Sequence, residues 1–522
     1  MAQVKYPIGI QSFSSIREGG YLYVDKTGYI ADLLNSASKF VFLSRPRRFG
    51  KSLLLSTIKE YFLGRQDMFE GLEISRREHD WVKHPVFHLD FTGANYNDPV
   101  GLTSKLNSRL TSWEKEYGIE KEDGDFGVRF ETIIKQAYEK TGQKVVILID
   151  EYDKALLETV DKPELQQKYR DTLRGVYGNL KQMDKYIRFA MLTGVTRFGH
   201  LSIFSDLNNL NDISMRGEYA GICGITGEEL HASFSSGVKA FSEKLGVSEN
   251  EVYEELRINY DGYHFAPENL VDVYNPFSVL NALSARFFGQ YWFQTGTPTF
   301  LIKMLKARQL SLRTLSEYEC EIDDLTDVSF DLGNFIPVMY QSGYLTIKKY
   351  NSRFQSVTLG FPNREVERAF LRQLLPYYTS LSSQKTAFEI KRFVLDVEEG
   401  LTEDFMVRLQ SLFADFQYDS FELRHLEQHY QDVIFIIFKL MGFYTRTEYK
   451  TASGRIDMVV KTPDYIYVME FKMDRSAEEA LAQIDTKDYL LPFKADGRKL
   501  IKIGANFDST KRTLASWIIQ EN

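Results

Sequence analysis

A short loop in the first tenth of the chain carries the residue types that bind phosphate. An apolar run at positions 40–43 is followed by Gly50, Lys51 and Ser52, which open an amphipathic helical stretch. Backbone N–H groups at the positive end of a helix attract an anion. In that position Lys51 would reach the β- and γ-phosphates of a nucleotide, and the Ser52 hydroxyl would coordinate Mg²⁺. A chance GKS sequence at a helix start is the alternative.

This loop departs from the usual G-x-x-x-x-G-K-[ST] pattern at one position, because Arg45 stands where the first glycine is expected. Pro46 would stiffen such a loop, and the arginines at 45, 47 and 48 would add positive charge to it. The nucleotide-binding residues predicted from the loop and the start of its helix are Arg47, Arg48, Phe49, Gly50, Lys51, Ser52 and Leu53.

Two acids follow a second apolar run, at positions 145–150, which reads as a buried strand. Asp150 ends the run and is predicted to hold Mg²⁺, directly or through water. Glu151 follows it and would polarise the attacking water. Alone, this acid pair is more typical of a solvated turn at a strand end. The GKS segment favours the nucleotide interpretation.

A third strand is predicted at 187–193, and polar residues stand at its end. Thr193 is a candidate sensor of the γ-phosphate, and Arg197 could stabilise the charge on a phosphoryl group in transfer. We therefore add both residues to the predicted nucleotide-binding set. A turn threonine and a surface arginine are the alternative.

A second cluster of chemically capable residues lies near the C-terminus. Strands are predicted at 443–448, 455–460 and 465–472. Because strand side chains alternate, Glu470 and Lys472 share one face, and Asp457 can lie opposite them. Two carboxylates and a lysine form a hard-oxygen site for Mg²⁺ with a group that orients water. An ordinary salt bridge on an edge strand is the alternative.

The helices on either side of this meander contribute further candidates. Glu427, on the preceding helix, could complete the metal site. Gln483 and Lys487 form an i,i+4 pair on a following helix, predicted over about 476–491, and are candidates for contact with nucleic acid.

The elements that must position these residues indicate an α/β protein. Continuous β-rich runs separated by helical segments are typical of a parallel sheet covered on both faces. A short strand at 21–24 and a helix starting near Thr27 lead into the first apolar run. A mostly helical lid is predicted at 216–345, and its aromatic cluster at 260–265 is interpreted as packing. A connector at 346–405 includes part of a β-hairpin.

Length, net charge and cysteine count limit the class of protein. At 522 residues the chain needs more than one domain, and a net charge of −8 confines any nucleic-acid site to a local patch. Two cysteines, Cys223 and Cys320, are too few for a disulfide scaffold. No secretory signal and no apolar run of ~20 residues is visible, so we expect a cytoplasmic protein without a membrane partner.

Several segments resemble known families. YVDKT (23–27), RPRRFGKS (45–52), LIDEYD (148–153) and LTGVTRFG (192–199) resemble the AAA-ATPase-like proteins of bacteria, which are P-loop ATPases related to the AAA+ and STAND groups. GRIDMVV (454–460) and YVMEFK (467–472) look like the PD-(D/E)XK nuclease superfamily domain.

The resemblance implies a P-loop NTPase parallel sheet (1–215), the helical lid, the connector and a C-terminal restriction-endonuclease-like α/β domain (406–522). It assigns ATPase roles to the lysine, serine and acids of the first cluster, metal ligation to Asp457 and Glu470, and a catalytic role to Lys472. Glu427 becomes the helix glutamate. The Gln-x-x-x-Tyr feature of some relatives is not reproduced, because position 487 is Lys and the nearby tyrosine is Tyr489.

The resulting hypothesis is an ATP-binding protein whose ATPase is coupled to a Mg²⁺-dependent nuclease. Its cofactors would be ATP and Mg²⁺, and its partner nucleic acid, with DNA favoured; homo-oligomerisation is left open. The alternative is a STAND-like nucleotide switch whose C-terminal domain binds nucleic acid or protein without cleaving it.

Overall fold

The computed structural model divides into two compact units. One comprises Met1–Met304 and Glu317–Glu365, and the other Leu305–Ser316 and Val366–Asn522. The structure describes residues 4–120, 124–197, 210–268, 271–293, 312, 315, 317–325, 335–379, 381–414, 426–442, 446–448 and 457–521, with the backbone alone at 383–384, 414, 426–428 and 446–448.

A five-stranded parallel sheet forms the centre of the first unit. Its strands are β1 (Phe40–Ser44), β2 (Val86–Asp90), β3 (Val145–Asp150), β4 (Ile187–Gly194) and β5 (Asn211–Asp212). They lie in the order β2-β3-β4-β1-β5, and each neighbouring pair is parallel. The parallel sheet predicted from the apolar runs is therefore confirmed.

Helices bury this sheet, which explains why its strands read as unbroken apolar runs. Every residue of β1 and β3 is buried. Ile147 and Ile149 share a core cluster with side chains from three helices, Gly101–Tyr117, Phe126–Thr141 and Pro163–Gln182. In the described part of this unit, the other α-helices are Phe13–Glu18, Thr27–Asn35, Lys51–Phe62, Lys154–Leu157, Gly227–Leu245, Glu249–Tyr260, Pro276–Ala285 and Ile336–Gln341.

The strand predicted at 21–24 is wrong. Residues 21–26 are not in a helix or strand, and the helix starts at Thr27 as expected. Leu22 and Val24 instead pack against a helical core cluster that includes Phe234 and Leu256. Their apolar side chains are thus partly buried without a sheet.

Short antiparallel sheets complete the first unit. β6 (Ile225–Thr226) pairs with β7 (Val273–Tyr274). β8 (Tyr318–Glu321), β9 (Thr346–Asn351) and β10 (Ser356–Gly360) form a three-stranded sheet in the order β8-β10-β9. The hairpin predicted from the sequence is thus present as β9 and β10.

The second unit combines helices with a mixed sheet. The sheet contains β11 (Arg446–Glu448), β12 (Met458–Lys461), β13 (Tyr465–Met473), β14 (Lys499–Asp508) and β15 (Thr513–Glu521), in that order. Among these described strands, only β13 and β14 pair in parallel. The described α-helices of this unit are Ser383–Glu398, Thr402–Ala414, Leu426–Met441 and Ala477–Thr486, and the helix Arg364–Tyr378 begins with the last two residues of the first unit.

One helix boundary in this unit differs from the prediction. The helix expected to continue to about 491 ends at Thr486. Asp488 has a φ of 49°, in the left-handed region, so the chain turns there. Across the described parts of both units, no helix combines the length and apolarity needed to cross a bilayer.

Candidate functional site

The loop predicted to bind phosphate, residues 45–50, connects β1 to the helix Lys51–Phe62. Gly50 precedes the helix with a φ of 96°, and Arg48 also has a positive φ of 69°. Glycine adopts this left-handed conformation without steric cost, so the loop can turn sharply into the helix N-terminus. The first helical N–H groups have no partner within the helix and are available to an anion.

A cleft of about 310 Å³ opens beside this loop. Its walls bring the predicted loop residues together with one predicted acid and with residues from three other segments. The lining includes Arg47, Arg48, Gly50, Lys51, Ser52, Leu53, Thr92, Glu151, Lys154, Pro276 and Phe277.

Lys51 is almost fully buried at the base of the loop. Its Nζ donates to the carbonyl oxygens of Arg45 (3.0 Å) and Pro46 (3.3 Å). The same nitrogen lies 3.7 Å from the Glu151 carboxylate. The structure therefore places the predicted phosphate-binding lysine beside the predicted water-polarising acid. Glu151 itself has a φ of 54°, which turns the chain sharply after β3.

Asp150 is a buried carboxylate at the carboxyl end of β3. Thr193 Oγ1 donates to Asp150 Oδ1 at 2.7 Å, and the Ser52 hydroxyl also hydrogen-bonds to this acid. Burial raises the pKa of Asp150, while the hydrogen bonds from Ser52 and Thr193 oppose that shift. A carboxylate and a hydroxyl oxygen are donors that suit Mg²⁺, so Asp150 and Ser52 fit the predicted ion.

Asp153 belongs to this site but had no role in the sequence interpretation. It is fully buried, and its Oδ2 accepts hydrogen bonds from Val195 N (3.0 Å), Thr196 N (2.7 Å) and Thr196 Oγ1 (2.7 Å). Burial is the main cause of its raised pKa. Asp153 thereby ties the loop after β4 to the segment after β3. Its place in LIDEYD, three residues after Asp150, was the available signal.

Arg197 is held at a different place. Its Nε donates to Asp212 Oδ2 at 2.6 Å, and its backbone N–H donates to Gln341 Oε1 at 2.6 Å. Arg197 is not among the residues that line the cleft. Of the two candidates after β4, the structure brings Thr193 to Asp150 and pairs Arg197 with Asp212.

Arg45 does not add charge to the cleft, which corrects the expectation from its position in the loop. Its side chain is buried, and its guanidinium donates to the carbonyl oxygens of Ser214 (2.7 Å) and Tyr219 (3.1 Å). It also lies over the Phe265 ring, 4.2 Å from the centroid. The residue that replaces the first glycine is therefore an internal anchor of the loop.

Phe49 is a second internal anchor. Only 1% of it is exposed, and its ring meets those of Tyr263 and Phe265 edge-on at 4.8 and 5.3 Å. This agrees with the packing interpretation of the aromatic cluster at 260–265. Phe49 supports the loop from behind and does not line the cleft.

The second candidate site lies at the start of β12 and along β13. Met458 pairs with Met469, which places Asp457 beside Glu470. Asp457 N lies 3.4 Å from Glu470 Oε2, and Asp457 Oδ2 accepts a hydrogen bond from Phe471 N at 3.0 Å. Lys472 Nζ donates to Glu470 Oε1 at 3.0 Å. The three residues predicted to share a site are thus together.

Electrostatics at Glu470 favour a bound cation. Glu470 is only 2% exposed. Its pKa is raised, first by burial and then by the negative charge of Asp457, while Lys472 acts in the opposite direction. Two converging carboxylates that repel each other are stabilised by a divalent cation, and their oxygens are the ligands Mg²⁺ prefers.

Gln483 joins this cluster, whereas Lys487 does not. Gln483 Nε2 donates to Glu470 Oε1, and Lys472 Nζ donates to Gln483 Oε1 at 2.5 Å. Lys487 is exposed and follows the last helical residue, Thr486. The Tyr489 hydroxyl lies 3.4 Å from Gln483 Nε2. Sequence spacing missed this contact, because the helix ends early and the chain turns back.

Glu427 lies in the helix Leu426–Met441, but its side chain is outside the described residues, so its metal role stays a prediction. Within the described ranges, no group of three His, Cys, Asp or Glu residues is placed to hold a metal ion. The candidate metal site of the second unit therefore rests on the pair Asp457 and Glu470.

Comparison with known proteins agrees with the two families that the sequence motifs resemble. Residues 7–204 match the family model described as "Predicted AAA-ATPase", and residues 425–517 match the PD-(D/E)XK nuclease superfamily. A protein of Azotobacter chroococcum mcd 1, described as "Uncharacterized protein in vnfD 5'region", is 36% identical over 532 residues, which cover 100% of this chain and 99% of that protein. The chain belongs to the AAA-ATPase-like family that carries a C-terminal PD-(D/E)XK nuclease superfamily domain.

Proposed function

We propose that the chain is an ATPase whose nucleotide cycle controls a Mg²⁺-dependent nuclease in its C-terminal domain. The observation that carries this proposal is that the same pairing occurs twice. In each unit a buried strand carboxylate belongs to a group that includes a lysine. Glu151, which follows the buried Asp150, lies 3.7 Å from Lys51, and the buried Glu470 lies 3.0 Å from Lys472.

In the ATPase, the backbone N–H groups of the loop and Lys51 bind the phosphates, and Arg47 and Arg48 add positive charge to the cleft. Asp150 and Ser52 would hold Mg²⁺, which neutralises charge on the phosphates when bound. Glu151 orients the attacking water. Thr193 keeps Asp150 in place through its hydrogen bond.

In the nuclease, Asp457 and Glu470 would hold Mg²⁺, which stabilises the charge of the phosphate under attack when bound. Lys472 orients the attacking water. Gln483 fixes both Lys472 and Glu470 through its amide, so it restricts the positions that the lysine can take. Lys487, exposed after the same helix, is a candidate for contact with the nucleic-acid backbone.

The experiment that tests this function measures cleavage of labelled single- and double-stranded DNA and RNA with Mg²⁺, with and without ATP. Wild type is compared with Lys51→Ala and Asp457→Ala. Two substitutions serve as matched controls. Lys59→Ala lies in the same helix as Lys51, and Asp464→Ala lies in the exposed turn before β13.

We expect Asp457→Ala to abolish cleavage while ATP hydrolysis continues, and Lys51→Ala to abolish ATP hydrolysis and change the ATP dependence of cleavage. Both controls should behave as wild type. ATP binding without cleavage of any substrate would reject the nuclease and leave the nucleotide switch as the better description of the chain.

A further inference from the structure

Glu365 is a buried carboxylate that the proposed chemistry does not use. Only 3% of it is exposed, in the first turn of the helix Arg364–Tyr378. Its Oε2 accepts a hydrogen bond from Ser278 Oγ at 2.7 Å, and its Oε1 accepts one from Trp292 N at 2.8 Å. These donors fix the position of the carboxylate, because a buried acid without partners is strongly disfavoured.

Two lining segments of the phosphate cleft converge on Glu365. Trp292, whose amide bonds Glu365, also donates through its indole Nε1 to the carbonyl oxygen of Arg47 at 3.0 Å. Ser278 lies in the helix Pro276–Ala285, whose first residues line the same cleft. Glu365 is therefore one hydrogen-bonded residue away from the phosphate-binding loop and in direct contact with the second lining helix.

The helix that carries Glu365 extends from Arg364 to Tyr378, with Pro376 inside its last turn. The division between the two compact units falls after Glu365, so from Val366 onward the helix consists of residues of the second unit. A change in the hydrogen bonds of Glu365 therefore changes the stability of the first turn of a helix that contains residues of the first and of the second unit.

We propose that Glu365 is a positioning residue that couples occupancy of the phosphate cleft to the helix Arg364–Tyr378, through Trp292 and Arg47 on one side and Ser278 on the other. This inference rests on the proposed nucleotide site. Phosphates that bind the loop order its backbone, including the Arg47 carbonyl. The Trp292 indole then holds its amide, and with it Glu365, in one arrangement, and the first turn of the helix becomes more stable.

The test is hydrogen–deuterium exchange of the full chain, with and without a non-hydrolysable ATP analogue and Mg²⁺. Trp292→Phe removes the indole donor to Arg47 and leaves the backbone bond to Glu365. The matched control, Tyr291→Phe, removes a neighbouring hydroxyl that donates to the Phe287 carbonyl. Glu365→Ala removes the acceptor. If Glu365→Ala does not fold, Trp292→Phe still tests the coupling.

In wild type and in Tyr291→Phe, we expect the analogue to slow exchange both at 47–53 and at 366–378, the latter by about fivefold or more. Trp292→Phe should keep the protection at 47–53 and lose the response at 366–378. Protection of the wild type at 47–53 only, or a full helix response in Trp292→Phe, would overturn the coupling but not the nucleotide site. No protection at 47–53 in wild type would instead overturn the nucleotide site, and the coupling with it.

Discussion

Burial raises the pKa of several carboxyl groups in the first unit, including Asp150, Asp153 and Glu365. Each accepts hydrogen bonds from donors on a neighbouring segment, so each fixes the geometry of a junction. Asp150 joins β3 to β4, Asp153 fixes the loop after β4, and Glu365 joins a helix to two segments of the cleft. Of these three, Asp153 and Glu365 are the proposed positioning residues, and substitutions of them should differ in their effects on pH dependence and on kinetics.

Glu365→Gln should change how stability depends on pH. Burial raises the pKa of Glu365 from 4.5 to about 7. Between these values the folded chain binds more protons than the unfolded chain, so the free energy of unfolding falls as pH rises through this window. The loss is complete above pH 7 and amounts to roughly 3 kcal/mol at most.

A glutamine side chain cannot ionise, so the Glu365→Gln variant lacks this loss. Urea unfolding at pH 5, 6, 7 and 8 should show wild type losing stability relative to the variant. Parallel curves for the two proteins would contradict the assignment.

Asp153→Asn should separate catalysis from binding. The amide cannot accept all three hydrogen bonds as the carboxylate does, and it introduces a buried N–H₂ group, so the loop after β4 loosens at a cost of about 1–3 kcal/mol. We expect kcat for ATP to fall by roughly tenfold, with KM nearly unchanged, because the phosphate-binding residues stay in place. Steady-state ATPase kinetics beside Lys51→Ala measure this. A rise in KM with unchanged kcat would place Asp153 in binding instead.

At the scale of elements, the phosphate-binding loop is held by its neighbours more than by its own sequence. Arg45 hydrogen-bonds the backbone of residues 214 and 219, and Phe49 packs on the aromatic residues at 263 and 265. Glycine at position 45 would match the usual pattern, but it would also remove the link from the loop to these segments. Arg45 and the aromatic cluster therefore stabilise the loop together.

Arg45→Gly therefore should destabilise the protein, although it restores G-x-x-x-x-G-K-S. The substitution leaves two buried carbonyl oxygens without their donor and opens a cavity beside Phe265. We expect a loss of at least about 3 kcal/mol and weaker ATP binding. Thermal unfolding and nucleotide titration measure the two effects, with Arg47→Gly on the cleft lining as the matched variant. A stable Arg45→Gly protein with normal ATP affinity would show that the anchor is dispensable.

The helix Ala477–Thr486 supports the other site through Gln483. Gln483→Ala removes the bonds to Glu470 and Lys472, so the lysine gains freedom and the carboxylate loses a donor. We expect nuclease activity to fall by about 10–100-fold, partly recovered at high Mg²⁺. Thr486→Ala, on the same helix but exposed, is the control. Cleavage rates across a Mg²⁺ titration test this, and an unaffected Gln483→Ala would rule out the positioning role.

At the scale of the whole molecule, local patterns predicted the fold well where burial was uniform. Strands such as β3 were predicted because burial on both faces demands unbroken apolar residues. The proximity of Asp457 to Glu470 was predicted because the two residues lie on adjacent strands. Contacts at long separation were not predictable. The partners of Arg45 lie 169 and 174 residues away in sequence. Tyr489 reaches Gln483 only because a helix ends sooner than its pattern indicates.

The net charge of −8 sets an expectation for the binding of nucleic acid as a whole. A protein without an extended basic surface can neutralise few phosphates, so few counterions are released when it binds. We expect the logarithm of the DNA-binding constant to fall with the logarithm of salt concentration with a slope of only about −2 to −4. Lys487→Ala should reduce that slope by about one if this exposed lysine after the Gln483 helix makes the phosphate contact that we propose for it. Fluorescence anisotropy with Asp457→Ala, which cannot cleave the probe, measures both slopes at several salt concentrations. A slope of about −8 would require a basic face much larger than a local patch around Lys487. An unchanged slope in Lys487→Ala would mean that another residue contacts the nucleic-acid backbone.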